Sequence, residues 1–486
     1  MNAYLFSQLP LLIGFGLLLA LAALRPQGSP RVNALSQAIT LLALGLGAVF
    51  TQAWLAPGDA FFGGAIRVTV IGRALAYGAL GIAFLAALLS SDYLAKIHAR
   101  PVEFRMVLLA QAIGIFHLPL AGDLATLFIA FELVSIPSYV LAGFNHRDGR
   151  ANEAGIKYLL LGALSSALFL LGIAFLYGAT GEISFDGIQN QIGVFWLSGS
   201  GSKLLLAKVS LAFFLSALFF KVAAAPFHAW LPDVYQGTNL ASLALIAAPA
   251  KVALFGLIAL LLWGPFAYLH ETWKPVLILV ALVSAVLGNL QALTQSGRVG
   301  LKRVLAFSST VNAGFILLAL FLDSAGAFLF YLTAYGITVV GVLAAFMALG
   351  TRTSDVEGVH DLRGLGRRHP WIASGLTVLL FSLAGIPLTA GFAGKFAVVA
   401  GAFSPGFEPV SGYLPVLIAS VVFGLVSFVF YFRIVRALWV RDTLSGAELE
   451  AASQLRAAGF YAPIVLAACV FLVLLMGVLM RSPGMP

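Results

Sequence analysis

Apolar stretches of about 20 residues recur from one end of this 486-residue chain to the other, separated by short polar connections. A helix of that length crosses roughly 30 Å of hydrocarbon, and in lipid only structures that satisfy their own backbone polar groups are tolerated. The chain is 61% hydrophobic and 10% charged, with a mean hydropathy of +1.01. It therefore reads as an all-α polytopic membrane protein. The formal charge of +9 comes from basic residues in the connections, accompanied by no nucleic-acid motif. Cys469 is the only cysteine, which excludes an internal disulfide and a cysteine-rich iron–sulfur or zinc site. MNAYLFSQLP lacks the basic leader of a cleaved signal peptide, so the first apolar run is expected to be a retained helix.

Separating the apolar runs gives about fourteen helices, at roughly 8–24, 35–55, 70–90, 105–121, 123–144, 153–179, 205–231, 239–264, 274–293, 301–321, 325–349, 370–402, 412–439 and 459–481. The stretch from Ile183 to Trp196 is too short to span and is expected to lie at the interface. Of the 28 basic residues, 19 fall on the side reached after odd-numbered helices, including Arg25, Lys96, Arg105, Arg298, Lys302, Arg352, Arg441 and Arg456. Six, among them Arg67, Lys274 and Arg481, fall on the other. The positive-inside rule then places the loops after odd helices in the cytoplasm and both termini outside.

Four ionisable residues interrupt the apolar runs: Glu132, Lys221, Lys251 and Lys395. Each costs roughly 2.5–3.5 kcal/mol at the centre of a membrane helix, on the order of 10 kcal/mol together, which calls for a function. A lysine whose protonation is switched by burial and by a movable carboxylate suits a proton relay. Packing of the glutamate or snorkelling of the lysines is the structural alternative. Glu132 continues in a polar stripe with Ser135, Ser138 and Tyr139. His228 is a further candidate on the Lys221 face if helix 7 continues that far. Lys302, beside Arg303, is attributed to the basic side of the membrane, with a role in proton entry as the alternative. No phosphate-binding loop and no helical zinc motif is present.

Helices 7 and 12 share a device. FFKVAAAPFHAWLPD has Lys221 before Pro226, and SLAGIPLTAGFAGKF has Lys395 after Pro387. Proline within a helix frees the carbonyl four residues earlier, here Val222 and Leu383, so both helices are expected to be broken beside a hydrated path. Five helices separate them. Helices 4–8 and 9–13 then form two inverted repeats at 105–264 and 265–440, preceded by helices 1–3 (1–104) and followed by helix 14 (441–486). A shift of the 174 residues between Lys221 and Lys395 duplicates the central lysine but takes Glu132 to Ala306 and Lys251 to Leu425.

The stretches FIAFELVSIPSYVLAGF, EAGIKYLLLGALSSALFLLGIAFLYGATGE, FFKVAAAPFHAWLPDVYQG, GRVGLKRVLAFSST and GIPLTAGFAGKF resemble the antiporter-like membrane subunits of respiratory complex I. Within that family the helix 12 lysine and PDVYQG are similar to the N type; the M type has glutamate there, and the L type a lateral helix for which a chain ending at Pro486 has no room. The segment TNLASLALIAAPAK departs from the usual start of helix 8. The resemblance implies that Glu132 pairs with Lys221, that Lys251 continues the path and that Lys395 communicates with the outside. It also implies an energy-converting membrane, such as the bacterial inner membrane, with neighbouring antiporter-like M and small K subunits. FMN, iron–sulfur clusters and quinone are then expected in other subunits and no cofactor in this chain. An Mrp-type sodium/proton antiporter subunit, or a structural subunit with no proton path, are the alternatives.

Overall fold

The computed structural model describes residues 2–24, 29–97, 99–199, 201–295, 300–350, 355–401, 414–440 and 459–479. Arg25, Arg298, Arg352, Arg441, Arg456 and Arg481, used above for orientation, lie outside them. The helices are α1 (Asn2–Leu24), α2 (Pro30–Trp54), α3 (Val70–Lys96), α4 (Pro101–His117), α5 (Leu124–Ala142), α6 (Gly149–Thr180) and α7 (Phe185–Ser198). They continue with α8 (Gly201–Val222), α9 (Leu231–Gly237), α10 (Leu240–Ala247), α11 (Pro249–Trp263), α12 (His270–Thr294) and α13 (Leu301–Phe321). The last are α14 (Ala325–Leu349), α15 (Leu365–Arg368), α16 (Pro370–Ala384), α17 (Ala390–Gly401), α18 (Leu414–Trp439) and α19 (Tyr461–Leu479).

Among the described residues, thirteen helical segments are long and apolar enough to cross a membrane. The expected twelfth helix is instead two shorter apolar helices, α16 and α17. Burial sorts the spans. Every residue in the apolar window of α13 is buried, whereas only 28% are in α6 and 33% in α19. A helix enclosed on all sides is a core element, and one with a wide exposed apolar face meets lipid or a partner. Helices α10, α11, α13 and α14 thus form a centre screened from the surroundings.

All the breaks are local events with identifiable causes. Helix α8 stops at Val222, where Ala223 turns to a φ of 57° ahead of the cis bond to Pro226. The Ala225 N–H leaves the helix pattern and donates to Ser284 Oγ on α12 at 2.8 Å. Helix α16 stops at Gly385, in the left-handed region at φ 89°, and α17 begins after Pro387. The two halves pack so closely that a Cβ on Gly391 would lie 1.8 Å from the Ser382 carbonyl oxygen. The expected continuous helix 8 is corrected: it divides into α10 and α11 at Ala248 (φ −119°, ψ −81°). Pro249 opens α11, and a residue preceding proline is disfavoured in helical conformation.

Helix α7 is amphipathic, with Phe185, Ile188 and Ile192 buried and Val194, Trp196 and Leu197 exposed, consistent with an interfacial element. A two-stranded antiparallel hairpin, β1 (Ala60–Phe61) and β2 (Ile66–Arg67), was not foreseen. It ties three connections together through bridges between Ile66 and Ala121 and between Asp123 and Ser184, and through the Arg67–Asp186 ion pair. Arg105 also needs correction. Counted above with the basic side at the very start of helix 4, it is the fifth residue of α4 and fully buried.

Candidate functional site

Lys221 ends α8 with only 2% of its surface exposed. Its ammonium donates to Ser135 Oγ at 2.9 Å and to the Tyr139 hydroxyl, and it lies 4.8 Å from the ring centroids of Phe131 and Tyr139. Residues 131, 135 and 139 recur every four positions, so one face of α5 builds the whole cradle. Small residues make room for it: a Cβ on Gly162 would sit 2.3 Å from the Tyr139 hydroxyl. Tyr139 meets Tyr158 edge to face, Tyr158 stacks on Trp230, and the Trp230 indole N–H donates to the Phe220 carbonyl opened by the end of α8 at 3.1 Å. The break and the lysine site are therefore one packed unit.

Glu132 does not form the expected ion pair with Lys221. Its Oε1 is buried without a hydrogen-bond partner, while the ammonium has reached the Ser135 and Tyr139 hydroxyls further along α5. The carboxylate remains in electrostatic range of both Lys221 and Tyr139.

Lys251, also 2% exposed, stands in the first turn of α11 immediately after the Ala248 break. It donates to Ser309 Oγ on α13, which exchanges a 2.7 Å hydrogen bond with the Tyr335 hydroxyl on α14, and lies 5.7 Å from the Tyr235 ring centroid. The two lysines share no partner, but α9 joins their surroundings: it opens beside Trp230, next to Tyr158, and carries Tyr235 to Lys251.

Lys395 is buried on α17 and does not snorkel. Its ammonium donates to the carbonyls of Leu383 at 2.7 Å and Ala384 at 3.4 Å, and lies 4.7 Å from the Phe315 ring centroid. Those carbonyls are the negative end of α16, which a cation complements. The freed Leu383 oxygen expected from Pro387 is thus occupied by the lysine itself. Helix α13 connects this position with Lys251: Phe315 contacts Tyr331, whose hydroxyl donates to Asn312 Oδ1 at 2.6 Å, one turn from Ser309.

His228 stands apart. The turn after α8 removes it from the Lys221 face, and its Nε2 meets Gln291 Oε1 at 2.7 Å while Nδ1 is buried without a partner. Lys302, attributed above to topology, is buried and donates to the Thr238 carbonyl at 2.8 Å, closing the end of α9. Sequence reasoning also passed over Ser309, Asn312, Tyr331, Tyr335 and Tyr235. The cluster FSSTVNAGF within an apolar helix was the available signal for the first two.

Residues 121–426 match the family described as NADH:quinone oxidoreductase/Mrp antiporter, transmembrane region. The chain belongs to that family. It is 38% identical to NADH-quinone oxidoreductase subunit N 1 of Herpetosiphon aurantiacus, over 74% of this chain and 72% of that protein. It is 33% identical to subunit N of Hirschia baltica, over 90% and 88%. Among solved structures, a chain of respiratory complex I from Thermus thermophilus superposes with a TM-score of 0.78 at 29% identity, covering 97% of each chain. A chain of the Mrp complex from Dietzia sp. gives 0.77 at 20% identity, covering 98% and 94%, which is a likeness of fold. The expected family and the N-type resemblance are borne out.

Proposed function

We propose that this chain is a proton-translocating membrane-arm subunit of an NADH:quinone oxidoreductase, in which Glu132, Lys221, Lys251 and Lys395 carry the proton. The observation that supports it most is the setting of the lysines. Each is buried among neutral oxygens, with no carboxylate among the described residues in hydrogen-bond contact. An ammonium held this way is poorly compensated, so moving one carboxylate towards it or away changes whether it keeps its proton. Glu132, in electrostatic range of Lys221 and lacking a partner on Oε1, supports that reading. Redox energy released in other subunits, where flavin, iron–sulfur and quinone chemistry is assigned, would bias Glu132. Driving one charge against the membrane potential costs about 2.3 kcal/mol per 100 mV, within reach of a buried ion pair made and broken.

The two-repeat organisation, 105–264 and 265–440, is part of the reading. The 174-residue shift that superposes Lys221 on Lys395 also takes Ser135 to Ser309 and Ser138 to Asn312, so the hydroxyl that holds Lys221 and the one that holds Lys251 are counterparts. Fourteen crossings, with α16 and α17 sharing one and both termini outside, complete it. Neighbours of the M and K types belong to the same proposal.

The test is proton uptake into inverted vesicles, with electron transfer measured alongside. Lys221→Ala and Glu132→Ala are expected to abolish or strongly reduce uptake while the complex assembles. Normal uptake in both would refute the relay, and failure of both to assemble would favour a structural role. Copurification in mild detergent separates the Mrp alternative, because flavin and iron–sulfur proteins accompany only the oxidoreductase.

A further inference from the structure

Between the Lys251 and Lys395 sites the polar side chains change in kind. On α13, Ser308 and Ser309, then Asn312, then Phe315 occupy successive turns, and Ser309 and Phe315 are about 9 Å apart along an ideal helix axis. At the first level the partners are hydroxyls. Lys251 donates to Ser309, Ser309 shares a hydrogen bond with Tyr335, and Ser308 shares one with Tyr431 of α18. At the last level Phe315 contacts both Lys395 and the ring of Tyr331. That ring packs on Gly394, next to Lys395 on α17, where a Cβ would lie 2.5 Å from Tyr331 Cδ2. Asn312 stands between, buried, and among the described contacts its amide is the hydrogen-bonded link from Tyr331 to the hydroxyls.

The neighbours of that amide decide which way it faces. Its nitrogen lies 2.8 Å from the Ser308 carbonyl and 3.4 Å from Ser308 Oγ. A backbone carbonyl can only accept, so the NH2 group points there and Oδ1 takes the Tyr331 hydroxyl proton, at 2.6 Å. A hydroxyl accepts on one side, donates on the other and turns ready for the next proton. An amide divides those roles, because its oxygen only accepts and its NH2 group only donates. A proton handed to Oδ1 could be passed on from the nitrogen only by leaving the imidic acid tautomer, so hopping stops at this residue. For a pump such a stop is useful, since an unbroken wire of hydroxyls would return protons down the membrane potential.

We propose that Asn312 insulates the Lys251 site from the Lys395 site, so that protons cross between them only when its side chain turns aside. This rests on the relay proposed above. The assembled complex in reconstituted vesicles tests it, by the decay of the proton gradient once electron transfer is stopped. Asn312→Asp, of the same shape but with oxygens that both take up and release a proton, is expected to speed the decay several-fold and to lower the number of protons moved per electron. Asn312→Ser, which supplies a hydroxyl instead, is expected to leak as well and serves where the aspartate blocks assembly. Asn312→Leu, of similar size with no proton carrier, is expected to add no leak. Tyr331→Phe introduced into Asn312→Asp removes the neighbouring hydroxyl and is expected to suppress the leak. A gradient as durable in Asn312→Asp and Asn312→Ser as in the unmodified complex would overturn the proposal. Decay in Asn312→Leu as fast as in Asn312→Asp would also overturn it, because the leak would then come from disturbed packing. The relay is judged separately by uptake in Lys221→Ala, so failure of the insulation and failure of the relay read differently.

Discussion

Tyr139 binds the Lys221 ammonium, packs on Tyr158 and occupies the space left by Gly162, so one hydroxyl joins charge, packing and the helix break. Tyr139→Phe keeps the ring and removes the acceptor, a change of about 1–3 kcal/mol for a bond to a charged group. Proton uptake in vesicles is expected to fall several-fold with assembly intact; unaltered uptake would show that the hydroxyl is dispensable. Ser309→Ala should act likewise on Lys251, because Ser309 is its hydrogen-bonding partner. The lysines were legible in the sequence because a charge in an apolar run stands out on cost alone. Ser309 and Asn312 were not, because a hydroxyl inside a membrane helix usually bonds its own backbone, as Ser138 does to Val134 and Thr338 to Ala334. Sequence cannot distinguish that from a bond to a lysine on another helix. The Glu132–Lys221 pairing, carried by resemblance, is not among the described contacts; two hydroxyls on the same helix face hold the ammonium instead.

The breaks in α8–α9 and α16–α17 were legible from Pro226 and Pro387, since proline acts on its own backbone neighbourhood. The one between α10 and α11 was missed: Pro249 could as well have been an ordinary helix start, and only the surrounding packing makes Ala248 an internal kink. At α16–α17 the close approach of the halves makes a specific demand. Gly391→Ala would drive a methyl into the Ser382 carbonyl, an overpacking cost of about 1–3 kcal/mol or more. A lower Tm and loss of uptake are expected, and wild-type melting would contradict the packing described. Lys395 answers to the same junction. Lys395→Leu should abolish uptake by leaving the α16 carbonyls unpaired, whereas Lys395→Glu retains a protonatable group but sets it against two carbonyl oxygens. Only its protonated form can donate to them, so the activity of Lys395→Glu should rise as pH is lowered. Equal activity of both variants, near that of the unmodified protein, would remove Lys395 from the relay.

The whole molecule is a screened centre of α10, α11, α13 and α14 within helices that present apolar faces outward. In a Cys469→Ser background, an impermeant thiol reagent should label cysteines at Gly149 and Asp355 from the cytoplasm only and at Asp59 from outside only; mixed labelling would dismantle the proposed crossing pattern. On the Asp59 side the β-hairpin gathers three connections and secures the start of α5. Gly122 donates to the Ala65 carbonyl at 2.8 Å, Leu124 to that of Ile183 at 3.0 Å, and Asp123 caps Thr126 at 2.7 Å. Further along, α4 presses on α5 so tightly that a Cβ on Gly114 would lie 2.6 Å from the backbone of Leu133 and Val134, the residues after Glu132. Helix α5 is therefore a beam built in at one end and clamped again beside its carboxylate. In the proposed relay, the movement asked of Glu132 is then the swing of its own side chain, with the helix around it as the fixed pivot.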